Sequence, residues 1–262
     1  MRIISANGVV HHMREEGDPA GRPIVFANSL GTDLRLWDNV LPLLPVGMRV
    51  IRFDMRGHGL SDVPAGPYQM GDLVDDSEAL LDALDVRGAL FVGLSIGGMI
   101  GMGLAARRPD IVGALVLSNT AAAMGTADMW QARIDAVKTN GLESIADSVM
   151  QRWFSPAFGR TPELTAWRNM MVRTAPEGYT GCCAAIAHAD MTAQVASLTQ
   201  PVLGIAGEMD GASPPDLVED TIRRIKHARF ATIPAVGHLP HAEAPQAFAH
   251  LITDFIEETT HV

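Results

Sequence analysis

Cysteine is nearly absent from this sequence. The chain has 262 residues and two cysteines, Cys182 and Cys183, which are neighbours. A vicinal pair cannot staple distant segments, so no disulfide framework holds the fold, and the pair lacks metal-ligand spacing. Both read as small apolar packing residues in a protein of a reducing compartment. Long hydrophobic runs are also missing, since no apolar stretch reaches the ~20 residues of a membrane helix. The opening MRIISANGVVHHMREEGDP carries no apolar signal core and no cleavage site. A soluble cytoplasmic protein is the expectation. Positive charge is scarce: 20 Lys and Arg stand against 30 Asp and Glu, a net charge of −10. That balance argues against nucleic acid and anionic membranes as partners. An anionic small-molecule substrate would meet an adverse global field, so a local cation would have to recognise it.

What is present is apolar and well patterned. Hydrophobic residues make up 47% of the chain and charged residues 19%, enough to bury a sizeable core and too little charge for a disordered tail. Asn7-Gly8 sits between two alternating runs, a strong hairpin signal. Short apolar runs follow at 23–29, 49–55, 89–95, 114–119, 201–208 and 229–237. Helical patterns over 71–85, 97–108, 215–226 and 243–257 separate most of them. Strands buried on both faces and alternating with helices imply a mostly parallel sheet with helices on both sides. One region breaks the rhythm. Residues 121–196 hold no strand candidate but do hold Trp130, Trp153 and Trp167. The expectation is a core of residues 1–120 and 197–262, with 121–196 inserted as a helical cap over the crevice at the strand ends.

The stretch FVGLSIGGMIGMG contains Gly93-Leu94-Ser95-Ile96-Gly97, which is G-x-S-x-G after a strand and before a helix. A tight turn there forces the serine into a strained conformation and lifts its hydroxyl out of the sheet. The helix N-terminus beside it favours developing negative charge. Alone the pattern is weak, and its context raises it.

A serine hydroxyl needs a base. Of nine histidines, His238 follows the last strand run in PAVGHLPHAEAP and can approach the strand ends. His241 is its nearest rival. His11 and His12 fall on the hairpin, His188 in the insert, His227 and His250 in helical stretches, and His261 in the tail. The base needs an orienting carboxylate. GIAGEMDGASPP offers Glu208 and Asp210, and Asp210, ahead of a turn and a Pro-Pro helix start, is favoured. The order Ser95, Asp210, His238 matches the Ser…Asp/Glu…His order of one fold. The oxyanion needs two N–H donors, assigned to Ile96, after the serine, and Leu30, in the loop FANSLGTD.

Together NSLGTD, FDMRGHGLSD, GLSIGG, GEMDGASPP and VGHLPHAEAP resemble the α/β-hydrolase superfamily over nearly the whole chain. The resemblance implies an eight-stranded, mostly parallel sheet. It also implies that Asp54, Arg56 and His58, in the DxRGxGxS loop, are architectural. ANSLGTDLRLWD, GLSIGGMIGMGLAARRPD, LVLSNTAAAMGT and, within the insert, MWQARIDAV and GYTGCCAAIAHAD look like 3-oxoadipate enol-lactonases. That similarity implies hydrolysis of an enol-lactone carboxylate to 3-oxoadipate in the protocatechuate branch of aromatic catabolism, and this chemistry needs no metal or organic cofactor. A monomer or homodimer is the expectation. It also implies substrate contacts from Trp130 and Arg133. For Trp130 plain packing stands beside that role, and for Arg133 a solvated surface position does. A carboxylesterase or perhydrolase-type enzyme shares the core motifs. A cofactor-free oxygenase would tolerate loss of Ser95, and a ligand receptor would bind without turnover.

Overall fold

The computed structural model describes residues 2–259, so His261 lies outside the described residues. Chain direction is set first by the N-terminal hairpin. Asn7 and Gly8 both take positive φ, 49° and 73°, and join β1 (Arg2–Ala6) to β2 (Val9–Gly17) in the turn that matches strand twist. Next come β3 (Pro23–Ala27), β4 (Arg49–Phe53), α1 (Met70–Ala83), β5 (Ala89–Leu94), α2 (Ile96–Arg107) and β6 (Val112–Ser118). After β6 the chain runs through five α-helices and one short 3-10 helix (Phe158–Arg160) before it re-enters the sheet: α3 (Ala127–Asn140), α4 (Glu143–Trp153), α5 (Leu164–Val172), α6 (Pro176–Ala187) and α7 (Thr192–Ser197). It closes with β7 (Val202–Gly207), α8 (Pro215–Ile222), β8 (Arg229–Ile233), α9 (Pro240–Glu243) and α10 (Pro245–Thr259).

The eight strands form one sheet in the order β1-β2-β4-β3-β5-β6-β7-β8. The β1–β2 and β2–β4 pairs are antiparallel, and every pair from β4 to β8 is parallel. The sheet is thus α/β and mostly parallel, with helices on its faces. Its central strands read as unbroken apolar runs because both faces are covered. Ile24, Val25, Phe26, Leu90, Phe91, Val92, Leu115 and Val116 are all fully buried. Each such side chain contributes about 1.5–3 kcal/mol relative to an exposed one.

Strand runs read from the pattern overshoot the observed strands by one to four residues, and the overshoot carries the chemistry. Asn28 and Ser29 leave β3, Asn119 leaves β6 and Glu208 leaves β7 as the chain turns across the strand ends. Helix boundaries differ as well, by up to four residues. The stretch expected at 215–226 ends as helix at Ile222, where Arg224 and Ile225 tighten into bonds three residues back. The stretch expected at 243–257 begins at Pro245, because a residue before proline is kept out of helical geometry, and Ala244 sits at φ −139°.

Helices in the segment between β6 and β7 have clear local causes. Thr126 accepts from the Met129 N–H and caps α3. Pro176 opens α6, where a missing N–H costs nothing. Both cysteines lie on α6, fully buried, and burial pushes their thiols up, so they stay neutral and pack.

Candidate active site

Ser95 follows the last residue of β5 and stands at the N-cap of α2 with φ 56° and ψ −119°. That left-handed region is costly for a residue with a side chain. The surroundings hold it there. Its N–H donates to the Ser118 carbonyl at 3.0 Å, and the Thr120 hydroxyl donates to its carbonyl at 2.7 Å. The flanking glycines are required by close approach. A Cβ on Gly93 would strike the Gly97 carbonyl, and one on Gly97 would strike the Ala27 carbonyl. The Ser95 hydroxyl makes no capping bond to its own helix, and Ser95 lines a cavity together with His238.

His238 stands on the loop after β8. Its Nδ1 lies 2.8 Å from Oδ2 of Asp210, which is on the loop after β7, and both residues are buried. With Nδ1–H donated to the carboxylate, Nε2 is the nitrogen free to take a proton. Asp210 is heavily bonded. Oδ1 accepts from the N–H groups of Ala212 and Ser213 at 2.7 and 3.0 Å, and Oδ2 from Asn119 Nδ2 and Ser213 Oγ, each at 2.9 Å. Burial pushes the Asp210 carboxyl up. The His238 ring, Asn119 and the backbone donors outweigh that and hold it below the usual carboxylate range.

The turn carrying Leu30 is braced from beneath. Gly31 N–H donates to His58 Nε2 at 2.9 Å, while His58 Nδ1 lies 3.2 Å from the Arg56 carbonyl. Those partners set the tautomer, with Nδ1 protonated and Nε2 accepting. Burial holds His58 down at about 4, so it keeps accepting through the neutral range. Asn28 donates to the Phe53 carbonyl and accepts from Trp37 Nε1, both at 2.8 Å. Leu30 itself lines the cavity. Ile96 is the first residue of α2, and helix N-termini leave their first N–H groups without intrahelical partners.

The far wall comes from the inserted helices. Trp130, Arg133, Val149, Arg152, Trp153, Tyr179 and Ile186 line the same cavity as Ser95. Trp130 Nε1 donates to the Met124 carbonyl at 2.6 Å, and the Arg133 guanidinium lies 4.9 Å from the centre of the Trp130 ring. Both residues named from the sequence therefore face the cavity. Among the described residues no group of three or more His, Cys, Asp or Glu is placed to hold a metal ion.

Residues 22–245 match the family described as alpha/beta hydrolase fold. The chain belongs to that family. A 3-oxoadipate enol-lactonase of Acinetobacter baylyi is 38% identical over 236 residues, 89% of this chain and 88% of that protein. A second enol-lactonase of the same organism is 33% identical over 257 residues, covering 97% of this chain and 96% of its own. Among solved structures, the enol-lactonase of Burkholderia xenovorans superposes with a TM-score of 0.94 at 36% identity, covering 98% of this chain and 100% of that one.

Several neighbours of the site were not singled out by the sequence. Asn119 and Ser213 grip Asp210, Arg152 faces the cavity, and Glu243 accepts from Gly237 N–H at 2.7 Å. Asn119 had one signal, its place at the end of a buried strand. Arg152 and Glu243 had none beyond charge. The rival residues lie elsewhere. His241 is fully buried against Trp37, Trp167 and Phe248. Glu208 accepts from Ala235 N–H at 2.8 Å and braces the loop after β8. His12 pairs with Asp54 at 2.8 Å and Arg56 with Asp76 at 2.6 Å, both in the loop framework. No helix among the described residues is long and apolar enough to cross a membrane.

Proposed function

We propose that this chain is a serine hydrolase that opens the lactone ring of 3-oxoadipate enol-lactone to give 3-oxoadipate. The observation that carries the proposal is the joint placement of Ser95, His238 and Arg133 around one cavity, with Asp210 2.8 Å behind His238. Enol-lactonase relatives at 38% and 33% identity over most of the chain support it.

Ser95 Oγ attacks the lactone carbonyl as His238 Nε2 takes its proton. Asp210 keeps the imidazole in the right tautomer and stabilises its protonated form. The N–H groups of Ile96 and Leu30 receive the oxyanion. The ring oxygen departs as an enolate, takes the proton from His238 and tautomerises to the ketone. Water activated by His238 then releases Ser95. Residues 121–196 act as a cap, with Trp130 walling the cavity and Arg133 meeting the substrate carboxylate through its planar fork. The protein acts in the cytoplasm, in the protocatechuate branch of aromatic catabolism, as a monomer or homodimer, and needs no cofactor.

The test is to generate the enol-lactone in situ and compare its hydrolysis with that of neutral phenyl acetate. Fast turnover of the lactone with slow turnover of the ester is expected. Equal turnover of both would refute the substrate assignment and leave a general esterase.

A further inference from the structure

The cavity holds two guanidinium groups and no carboxylate. Arg133 on α3 and Arg152 on α4 line it, while no Asp or Glu side chain does. Several other buried or half-buried arginines are matched with acids: Arg49 with Glu15, Arg52 with Glu16 and Asp38, Arg56 with Asp76, Arg108 with Glu78 and Asp82. Among the described residues Arg133 and Arg152 form no such ion pair. Arg133 spends its face on the Trp130 ring. Arg152 gives Nε to the Gly211 carbonyl at 3.1 Å. Burial first, and then the charge of Arg133, lower the affinity of Arg152 for its proton, and the Asp210 charge behind His238 only partly offsets them. Two like charges at one small cavity are unfavourable until an anion enters.

The position of Arg152 says which part of a substrate carries that anion. Its carbonyl accepts from Gly211 N–H at 3.2 Å, next to Asp210, and the following carbonyl, that of Trp153, accepts from His238 N–H at 2.7 Å. Arg152 therefore belongs to the His238 side of the cavity, with Ala212. In acyl transfer the protonated imidazole hands its proton to the departing oxygen, so the leaving group passes on that side.

Resting on the function proposed above, we infer that Arg152 is a specificity-determining residue that binds, with Arg133, a carboxylate on the leaving-group side of the scissile bond. The substrate class is then esters and lactones whose anionic group hangs from the departing alcohol or enol, not from the acyl half. The enol-lactone meets this rule, because its carboxymethyl group is attached to the carbon that bears the departing oxygen.

Three esters test it: the acetate ester of 3-hydroxyphenylacetate, with charge on the leaving group; monophenyl succinate, with charge on the acyl half; and neutral phenyl acetate. Wild type is expected to favour the first over the other two by about 10-fold or more in kcat/KM, the scale of a charge-assisted contact. Arg152→Gln is expected to lower kcat/KM on the first about 10-fold more than on phenyl acetate, mainly through KM. Arg152→Lys, which keeps the charge but not the fork, falls between. Thermal melting of each variant checks the fold, and the ratio between esters is unmoved by a purely structural defect. Equal losses on all three esters, or a wild-type preference for monophenyl succinate, overturns the inference and leaves the serine hydrolase standing. Undiminished hydrolysis of all three by Ser95→Ala overturns the function itself.

Discussion

The His238 backbone N–H donates to the carbonyl of Trp153 at 2.7 Å, so the last residue of α4 holds the loop that carries the proposed base. Nearby, Glu243 bonds Gly237 N–H at 2.7 Å and Ser155 Oγ at 2.5 Å, tying that loop to the segment just after α4. The helices between β6 and β7 are thus bonded to the loop after β8 as well as lining the cavity. Removing the Glu243 carboxylate leaves the Gly237 and Ser155 N–H groups and the Ser155 hydroxyl without their acceptor. Glu243→Ala is expected to cost about 1–3 kcal/mol of stability in urea titration and to lower kcat with little change in KM. Glu243→Gln should retain more of both. An Ala variant with wild-type midpoint and kcat would show that the stitch is idle.

Asn119 acts on the other member of the pair. Its Nδ2 holds Asp210 Oδ2 at 2.9 Å, and its carbonyl shares the single Ser213 hydroxyl proton with that carboxylate, at 2.7 and 2.9 Å. Asn119→Ala is expected to lower kcat/KM about 10-fold, the scale of one hydrogen bond to a charged group. Asn119→Asp should lower it further, because it sets a second carboxylate beside Asp210. Steady-state kinetics on both variants decide it. An Asp variant as active as wild type would mean that Asn119 does not position Asp210.

Much of this arrangement could be read from local pattern. Apolar runs marked the strands, and Asn7-Gly8 marked the hairpin. The spacing of Gly93, Ser95 and Gly97 marked a strained turn, which the Ser95 φ of 56° displays. The meeting of Asp210 and His238 was legible because each follows a strand run, Asp210 the buried β7 and His238 the edge strand β8, and a parallel sheet gathers such loops at one end. What was not legible is what only folding joins. Asn119 and Asp210 are 91 residues apart, and Ser155 and Glu243 are 88 apart. Nothing local in the α4 sequence tells that Arg152 turns toward a cavity. Helix ends were lost to single residues, as Pro245 shows.

Three buried imidazoles set an acid limit. Burial lowers His58 to about 4 and His241 to about 3, and it lowers His11 as well, from an ordinary value of 6.5. Each is neutral in the fold and takes a proton more readily when unfolded. Between 6.5 and those lowered values the unfolded chain binds more protons, so stability falls as pH drops through that window. His58 alone accounts for about 3 kcal/mol by the linkage of about 1.4 kcal/mol per pH unit. The depressed Asp210 adds its own loss at still lower pH, once unfolded carboxyls begin to take protons. Urea midpoints measured from about pH 8 down to about pH 4 should be level above 6.5 and fall steeply below it. A level profile down to about pH 4 would contradict neutral burial of these rings.

His241 permits a sharper version of that test. Neither of its ring nitrogens has a hydrogen-bond partner among the described residues, and it packs 4.9 Å from Trp37 and 5.9 Å from Phe248. A buried unpaired polar group costs about 1–3 kcal/mol, and phenylalanine removes it while keeping the ring stack. His241→Phe is expected to raise the melting temperature at neutral pH and to make the acid decline shallower. A lower melting temperature would show that the imidazole is bonded after all or that the site has no room for a phenyl ring.

The central claim is that the Ser95 hydroxyl makes the first bond to the substrate. The most direct measurement is kcat/KM for the enol-lactone with wild type and Ser95→Ala, each checked for its fold by circular dichroism. Loss of an activated nucleophile removes about 10³-fold or more of the rate, and that is the predicted fall. A Ser95→Ala protein that still opens the lactone at close to the wild-type rate would contradict the account.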